Sequence, residues 1–467
     1  MGRETAEPGQ KAAASYLTTV FKNIGLKPIN KRQGYIQNYP LFKSQYESGM
    51  IIIDDDTLKV LEDCYTFTAL TDTVLEFAEM VFLGYGISDA MYDNYKNKDM
   101  RGKSAVIFAG EPMVNEVSVI SNSVLPTLWS DGYEAKLALA AARGVAALFV
   151  VQENFEKNLP RVTYYLQRPK LSLERPTNQT LPVIFVSPES VSRIFPDYDT
   201  DLIYEALTSG EPEFEISRKG DLSFHIKRKV EEVSAENLFG VVEGEKFPEE
   251  VVLLSAHYDH LGIRNEEIYN GADDNGSGTS TILELARIFA KAKEEGNGPD
   301  RSIGFLLVSG EEKGLLGSEY YVENPLIPLN STVVDLNVDM IGRTDYAYQD
   351  SAVDYIYLIG SDKLSLELHA LSEEVNESYT NLKLDYKYND PEDPQRLYYR
   401  SDHYNFARHK IPVIFYFRGL HDDYHKPTDT VEKIEFDTIG KISRLIFHTA
   451  WEIANREGRI LVDEELD

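Results

Sequence analysis

From residue 235 onwards, the sequence alternates regularly between short apolar segments and segments with helical spacing. The apolar segments VVLLSA, IGFLLV, VVDLNV and VIFYF are five or six residues long, and the longer segment GTSTILELARIFAKAKEE repeats its apolar residues at helical intervals. Strands that are covered on both faces are near-continuous apolar runs of this kind. The sequence therefore predicts an α/β fold with a mostly parallel, mixed sheet and helices on both faces.

The length of 467 residues predicts two or three compact units, because domains of roughly 150 residues are typical. Between residues 85 and 222, short strands such as SAVIF and ALFVV alternate with turns that contain glycine and proline, which predicts a smaller inserted α/β domain. The polar, proline-rich stretch 152–180 inside it is predicted to be irregular. We expect residues 1–84 to be the first part of the main domain and residues 223–467 its main part, with an opening helix in EPGQKAAASYLTTVFKNIGL.

Composition excludes several classes of function. The formal charge of −30 opposes binding to nucleic acid, whose phosphates are also anionic. No apolar run reaches the roughly 20 residues that cross a bilayer, and the first 30 residues lack the pattern of a signal peptide. We therefore expect no nucleic-acid partner and no membrane span. The single cysteine, Cys64, excludes cysteine-rich metal sites, so any metal ion must be held by histidine and carboxylate groups.

Histidine and carboxylate residues follow four of the predicted core strands. In open α/β sheets, ligands bind outside the carboxyl ends of the strands, so these side chains are expected to face one crevice. A concentration of carboxylates at one place is stable only with a cation among them. Imidazole and carboxylate ligands favour a divalent ion such as zinc, with manganese and cobalt left open. The residues concerned are His257, Asp259, His260, Asp273, Asp274, Glu311, Glu312, Asp339, His421, Asp422, Asp423, Tyr424 and His425.

Taken singly, several of these residues have a simpler structural interpretation. An aspartate after a strand usually caps a helix or forms a turn, and a lone histidine is more often a satisfied surface residue than a metal ligand. The combined set favours a metal site, whereas a structural role is favoured for His260, Asp274, His403, His409 and His421.

The same segments resemble a known family, the two-zinc aminopeptidases of metallopeptidase family 28. SAHYDHLG, NGADDNGSGTSTILELAR, SGEEKGLLGSEYY, NVDMIGR, RSDHYNF and DDYHKPTDT resemble its motifs in order and approximate spacing over residues 235–437. The opening GRETAEPGQKAA resembles the amino-terminal part of the family, and residues 85–222 resemble the protease-associated domain that is often inserted in it. The resemblance implies a zinc-exopeptidase-like fold and two zinc ions per chain.

The resemblance also implies a role for each matching residue. His257 and Asp339 would bind one zinc ion, Glu312 and His425 the other, and Asp273 would bridge them. Asp259 would orient the imidazole of His257, as metal-bound histidines commonly require. Glu311 would be the general base and acid. Tyr424 and Arg400 would hold the substrate carbonyl and the tetrahedral intermediate.

The function implied is hydrolysis of the amino-terminal peptide bond of peptides, with a zinc-activated water as the nucleophile. A carboxypeptidase or dipeptidase is the closer alternative, and a glutaminyl-cyclase-like enzyme on the same fold is another. A non-catalytic receptor-like module would be expected to lack ligands or the base, and all are present here. No G-x-S-x-G or H-E-x-x-H motif indicates a serine hydrolase or another zinc class. By the same resemblance we expect export from the cell, while the oligomeric state stays open.

Overall fold

The computed structural model describes residues 1–28, 34–68, 73–130, 132–177, 181–208, 210, 213–351 and 353–463. The chain divides into two compact units. Unit 1 comprises Met1–Leu41 and Val233–Asp467, and unit 2 comprises Phe42–Glu232.

Helices and strands are numbered in chain order. The helices are α1 (Pro8–Ile24), α2 (Glu134–Ala142), α3 (Phe155–Leu166), α4 (Ser190–Ile194), α5 (Thr200–Thr208), α6 (Gly278–Glu294), α7 (Leu316–Glu323), α8 (Leu366–Tyr379), α9 (His403–Ala407) and α10 (Phe436–Asn455). The strands are β1 (Ile36–Ile53), β2 (Asp56–Lys59), β3 (Cys64–Tyr65), β4 (Thr73–Phe82), β5 (Ser104–Phe108), β6 (Met113–Val114), β7 (Val117–Ser118), β8 (Ala147–Val151), β9 (Lys170–Ser172), β10 (Val183–Val186), β11 (Ser217–Val242), β12 (Phe247–His257), β13 (Ile263–Arg264), β14 (Glu267–Ile268), β15 (Arg301–Val308), β16 (Thr332–Val338), β17 (Tyr355–Ile359), β18 (Lys383–Asp385) and β19 (Val413–Phe417).

The sheet of unit 1 has the strand order β18-β17-β19-β16-β12-β15-β11. The central strands are parallel, with Leu254 of β12 opposite Phe305 of β15 on one side and Leu336 of β16 on the other. Strand β11 pairs antiparallel with β15, and β17 pairs antiparallel with β19. The predicted mostly parallel, mixed sheet is confirmed.

Helices cover both faces of this sheet. Alternate residues of the central strands pack against helices on opposite faces. On one face, Leu254 and Phe305 pack in a core with residues of α1, α6, α8 and α10. On the other face, Leu253 and Leu306 pack with residues of α7 and α9. Successive side chains of a strand point to opposite faces, so a strand buried on both faces is apolar over most of its length. The near-continuous apolar runs of the sequence have this cause.

Helix α1 lies where the sequence predicts it. Pro8 occupies its first turn, and Gly25 ends it in the left-handed conformation with φ of 86°. Pro is compatible with a first turn because its missing N–H has no partner there, and Gly adopts positive φ without steric cost. Leu17 and Phe21 of this helix are buried in the same core as α6 and α10. The opening helix is therefore part of the hydrophobic core of unit 1.

Unit 2 is a smaller α/β unit that contains parallel sheet strands. Strands β4, β5, β8 and β10 run parallel in this order. Val106 and Phe149 belong to the core on one face of this sheet, and Ile107 and Leu148 to the core on the other. The unit begins at Phe42 and ends at Glu232, whereas the sequence analysis placed the insert at residues 85–222. The difference arises because strands β1 to β4 contribute buried side chains to the same core as β5 and β8.

The stretch 152–180 is more regular than expected. The sequence analysis predicted an irregular segment, but residues Phe155–Leu166 form helix α3. Its buried residues Phe155, Val162 and Leu166 pack in a core cluster of unit 2, and this packing outweighs the unfavourable Pro160 in its interior. Residues 178–180 of the predicted stretch lie outside the described residues.

Candidate metal centre

The histidine and carboxylate residues of unit 1 lie at the carboxyl ends of its parallel strands. Strand β12 ends on His257, and β16 is followed directly by Asp339. After β15, Gly310 turns the chain with φ of 81°, and a 3-10 turn over Glu311–Lys313 follows. Glycine suits this turn because a side chain is strained at positive φ. The strands therefore bring to one edge residues that are far apart in the chain.

One group of side chains surrounds the imidazole of His257. Its Nε2 atom lies 3.3 Å from Asp339 Oδ1, 3.4 Å from Asp274 Oδ1 and 3.9 Å from Glu311 Oε2. On the other side of the ring, Nδ1 lies 3.3 Å from the backbone oxygen of Asp259 and 3.7 Å from its Oδ1 atom. Asp259 therefore lies where it can orient the ring, while Nε2 faces the carboxylates.

A second group surrounds Glu312. Its Oε2 atom lies 3.3 Å from Nε2 of His425, and its Oε1 atom lies 2.7 Å from Nδ1 of His260. His425 Nε2 is also 3.2 Å from Asp274 Oδ2. The two oxygens of Asp274 thus face different histidines, His257 and His425, and Asp274 joins the two groups.

The structure corrects the expected position of Asp273. Its Oδ1 atom accepts a hydrogen bond from the backbone N–H of Gly342 at 2.6 Å, and its Oδ2 atom lies 3.2 Å from His421 Nε2. Asp274 has an extended backbone, with φ of −101° and ψ of 94°, inside the turn Ala272–Ser277. Neighbouring side chains on extended backbone point in different directions. Asp274, which the sequence analysis had assigned to a structural role, therefore faces both His257 and His425, whereas Asp273, which it had predicted to bridge two zinc ions, faces His421.

Buried carboxylates make this site strongly electronegative. Burial raises the pKa of Glu311 well above its usual range, and the neighbouring charges of Glu312 and Asp339 add to the effect. Burial disfavours protonation of His257, but Asp339 and Glu311 outweigh it and raise its pKa. The positive charge on the protein side chains of this site is therefore too small to balance its acidic groups.

The residues present fit a bound metal ion. Among the described residues, Glu312 Oε1 and both ring nitrogens of His260 are buried and have no aligned hydrogen-bond partner, although Oε1 and Nδ1 are only 2.7 Å apart. Buried polar atoms normally have a partner, and a cation would supply one here. Ligand atoms of His257, Glu311 and Asp339 lie within 4.8 Å of one another, as do those of His260, Asp274 and Glu312. Nitrogen and oxygen ligands without thiolate suit zinc.

Comparison with known proteins shows which family the residues of this site resemble. Residues 237–450 match the family model of Peptidase family M28. This part of the chain is similar to peptidase family M28. We call residues 237–450 the M28 region. It contains the four strands that precede the proposed ligands, β12, β15, β16 and β19, and the turn that carries Asp274.

Named relatives are similar to the M28 region and its surroundings. A probable leucine aminopeptidase of Trichophyton verrucosum is 29% identical over 212 residues, which are 44% of this chain and 55% of that protein. Aminopeptidase YwaD of Bacillus subtilis is 25% identical over 244 residues, which are 48% of this chain and 46% of that protein. The chain thus spans about half the length of the curated relatives it matches.

A solved structure extends the likeness in fold to nearly the whole chain. The aminopeptidase from Aneurinibacillus sp. strain AM-1 superposes with a TM-score of 0.53 at 17% identity. The superposition covers 99% of this chain and 92% of that chain. At this identity the likeness concerns the fold.

Tyr424 and Arg400 lie beside the proposed metal ligands of the M28 region. Arg400 Nη2 is 3.5 Å from the hydroxyl of Tyr424, and the ring of Tyr424 stacks on that of His425 with centroids 3.9 Å apart. Burial, assisted by the charge of Asp274, raises the pKa of Tyr424, so its hydroxyl stays protonated and can donate a hydrogen bond. Both residues line a cavity of about 40 Å³, which Glu311 also lines.

Sequence reasoning missed two polar residues that hold the proposed ligands in place. Ser401 donates a hydrogen bond to Asp339 Oδ2 at 2.9 Å. The carboxylate of Asp429 accepts hydrogen bonds from the backbone N–H groups of Asp273 and Asp274 at 3.0 to 3.2 Å. Both residues lie within motifs of the M28 region, Ser401 in RSDHYNF and Asp429 in DDYHKPTDT, and this position was the available signal.

Other polar residues of the predicted crevice have partners away from the two groups. Asp422 accepts a hydrogen bond from the hydroxyl of Tyr346, and Asp423 pairs with Arg343 and Lys433. The remaining histidines are also placed elsewhere: His403 is buried with its ring on Phe415, and His409 lies 3.5 Å from Glu323.

Proposed function

We propose that the chain is a zinc-dependent exopeptidase that hydrolyses the amino-terminal peptide bond of peptides. The observation that carries this proposal is the pair of histidine and carboxylate groups joined by Asp274, with Glu311 beside the first group. The names of the relatives, leucine aminopeptidase and aminopeptidase, support the same class of reaction.

The proposed ligands divide between two zinc ions. His257 and Asp339 would hold the first ion, Glu312 and His425 the second, and Asp274 would bridge them; His260 would steady Glu312 from the side. Asp259 would fix the ring of His257 so that Nε2 is the ligand atom. The bound ions would supply Lewis acidity, which activates a water molecule and polarises the scissile carbonyl.

Glu311 would transfer the protons of the reaction. Its carboxylate lies beside the first group and lines the cavity that Tyr424 and Arg400 also line. From there it would take a proton from the attacking water and deliver it to the nitrogen of the leaving amine. Tyr424 and Arg400 would donate hydrogen bonds to the substrate oxygen as negative charge develops on it.

The acidic character of the site would select a free amino terminus. A substrate ammonium group would be attracted to Asp339 or a neighbouring carboxylate. We therefore favour aminopeptidase over carboxypeptidase activity.

A substrate panel tests the direction of cleavage. Aminoacyl anilides and peptides with a free amino terminus are expected to be cleaved with release of single amino-terminal residues, and their amino-acetylated counterparts to be resistant. The measurement is mass spectrometry of the products, with metal content determined in parallel. Cleavage of acetylated peptides at their carboxyl end, or cyclisation of an amino-terminal glutamine without hydrolysis, would reject the proposal.

Replacing His425 by alanine is expected to lower the zinc content from two ions per chain towards one. Its Nε2 atom faces both Glu312 and Asp274, so its loss removes a nitrogen ligand of the second ion. Metal analysis after dialysis measures the effect. His409→Ala is the matched control, because His409 faces only Glu323 outside the two groups. Equal zinc content in the two variants would remove His425 from the ligand set.

Several expectations from the sequence remain part of the proposal. Two zinc ions per chain, export from the cell and a protease-associated domain at residues 85–222 rest on the family resemblance. In the part of the chain that the structure describes, no helix is both long and apolar enough to cross a membrane.

A further inference from the structure

The amino-terminal residues Arg3 to Thr5 lie outside the M28 region and contact the chain segments that carry its proposed ligands. The guanidinium group of Arg3 donates hydrogen bonds to three backbone oxygens, those of Tyr258 at 2.8 Å, Asn270 at 2.6 Å and Gly271 at 3.0 Å. Tyr258 follows His257 directly, and Gly271 begins the turn that presents Asp274. One side chain thus links the segment that carries His257 to the segment that carries the bridging carboxylate.

The backbone of Arg3 reinforces this link. Its carbonyl oxygen accepts a hydrogen bond from the N–H of His260 at 3.0 Å. Arginine suits the position because its planar group presents five N–H donors in a fixed arrangement, whereas a lysine would have to reach the same oxygens from a single nitrogen.

Thr5 acts on the carboxylate behind His257. Its hydroxyl donates a hydrogen bond to Asp259 Oδ2 at 2.6 Å, and both residues are buried, with 2% and 0% exposure. The other oxygen of Asp259, Oδ1, accepts from the backbone N–H of Glu311 at 3.3 Å and lies 3.7 Å from His257 Nδ1. The Thr5 hydroxyl therefore fixes the rotation of a carboxylate that faces both a proposed ligand and the proposed base.

Glu4 adds a third contact of the same segment. Its carboxylate lies 2.6 Å from the ammonium group of Lys313, which follows Glu312 directly. Both side chains are partly exposed, at 33% and 18%, so this ion pair contributes little energy by itself. Its position shows that the segment also reaches the turn that carries Glu311 and Glu312.

We propose that Arg3 and Thr5 are positioning residues of the metal centre. Neither reaches a metal ion or substrate: Thr5 acts through Asp259 on His257, and Arg3 acts through backbone oxygens on the segments of His257 and Asp274. The proposal rests on the proposed function for the identity of the metal ions. Loss of a partner that orients a metal-bound histidine typically lowers metal affinity 10- to 100-fold. Removal of the Thr5 hydroxyl, one contact further away, is expected to lower zinc affinity about tenfold.

The test replaces Thr5 by valine, which has nearly the same shape and lacks the hydroxyl. Zinc affinity is measured by competition with a chelator, and kcat and KM are measured on an aminoacyl anilide. The expected result is weaker zinc binding and a lower kcat with little change in KM. Thr5→Ser, which restores a hydroxyl, is expected to recover both. Thr18→Val is the matched control, because the Thr18 hydroxyl donates to the backbone oxygen of Ala14 within α1, away from the site.

Zinc affinity of Thr5→Val equal to that of the unaltered protein would overturn the proposal. So would an equal loss in Thr18→Val, or no recovery in Thr5→Ser. Should Thr5→Val fail to fold, Arg3→Lys provides the test, since it keeps the charge and loses the three-way contact; unchanged zinc affinity in that variant would also overturn the proposal. Failure of the proposed function gives a different pattern, in which the unaltered protein binds zinc and cleaves no amino-terminal residue.

Discussion

Replacing Glu311 by glutamine is expected to lower kcat by about 10²- to 10⁴-fold, the usual contribution of a general base. Glutamine has nearly the same shape as glutamate and cannot accept the proton of the attacking water. Glu311 Oε2 lies 3.9 Å from His257 Nε2. The next residue, Glu312, and not Glu311 is the proposed metal ligand. The zinc content is therefore expected to stay near two ions per chain. Steady-state kinetics and metal analysis on the same preparation measure the two effects.

The control for this variant is Glu373→Gln on the exposed surface of α8, which is expected to leave both quantities unchanged. A Glu311→Gln variant that kept most of its activity would show that another group transfers the proton. A variant that lost its zinc as well would assign Glu311 to the ligands rather than to proton transfer.

Replacing Asp274 by asparagine is expected to have the second largest effect, because the carboxylate of Asp274 faces both His257 and His425. An asparagine keeps one oxygen and replaces the other by an NH2 group, which cannot bind a metal ion. Zinc affinity is expected to fall for both ions, and activity with it. Calorimetric titration of the metal-free protein with zinc measures the two affinities.

The variant Asp273→Asn is the control for Asp274→Asn, because it makes the same change at the adjacent residue. An asparagine there can still accept the hydrogen bond from Gly342 through its oxygen, so zinc affinity is expected to change much less. If Asp273→Asn abolished zinc binding while Asp274→Asn preserved it, the bridging role would return to Asp273, as the sequence analysis expected.

The architecture of unit 1 could be predicted because burial on both faces makes each central strand a run of mostly apolar residues. Leu253 and Leu254 are adjacent and lie in different cores, so most positions of the run VVLLSA are apolar. The positions of His257, Glu311, Glu312 and Asp339 followed from the same rule, since each comes at or just after the end of such a strand.

The choice between Asp273 and Asp274 could not be made from the sequence. Both stand in a short turn whose helical backbone angles are interrupted at Asp274 and Asn275, so no single periodicity tells which side chain faces the crevice. The roles of Thr5 and Asp429 are equally hidden, because the carboxylate that Thr5 contacts is 254 positions away. The sequence analysis did not predict helix α3, because its interior contains a proline and its few buried residues stand among polar ones.

The packing of α1 limits how small an active fragment of this protein can be. A fragment restricted to residues 237–450 would carry every proposed ligand and Glu311, yet it would leave open the side of the core that Ala14, Leu17 and Phe21 fill. Burial of a leucine or phenylalanine side chain is worth about 1.5–3 kcal/mol, and a whole domain is stable by only about 5–15 kcal/mol. The segment that matches the family model, residues 237–450, is therefore shorter than the part of the chain that packs into the core of unit 1. Excision of that segment alone would expose an apolar surface that favours aggregation.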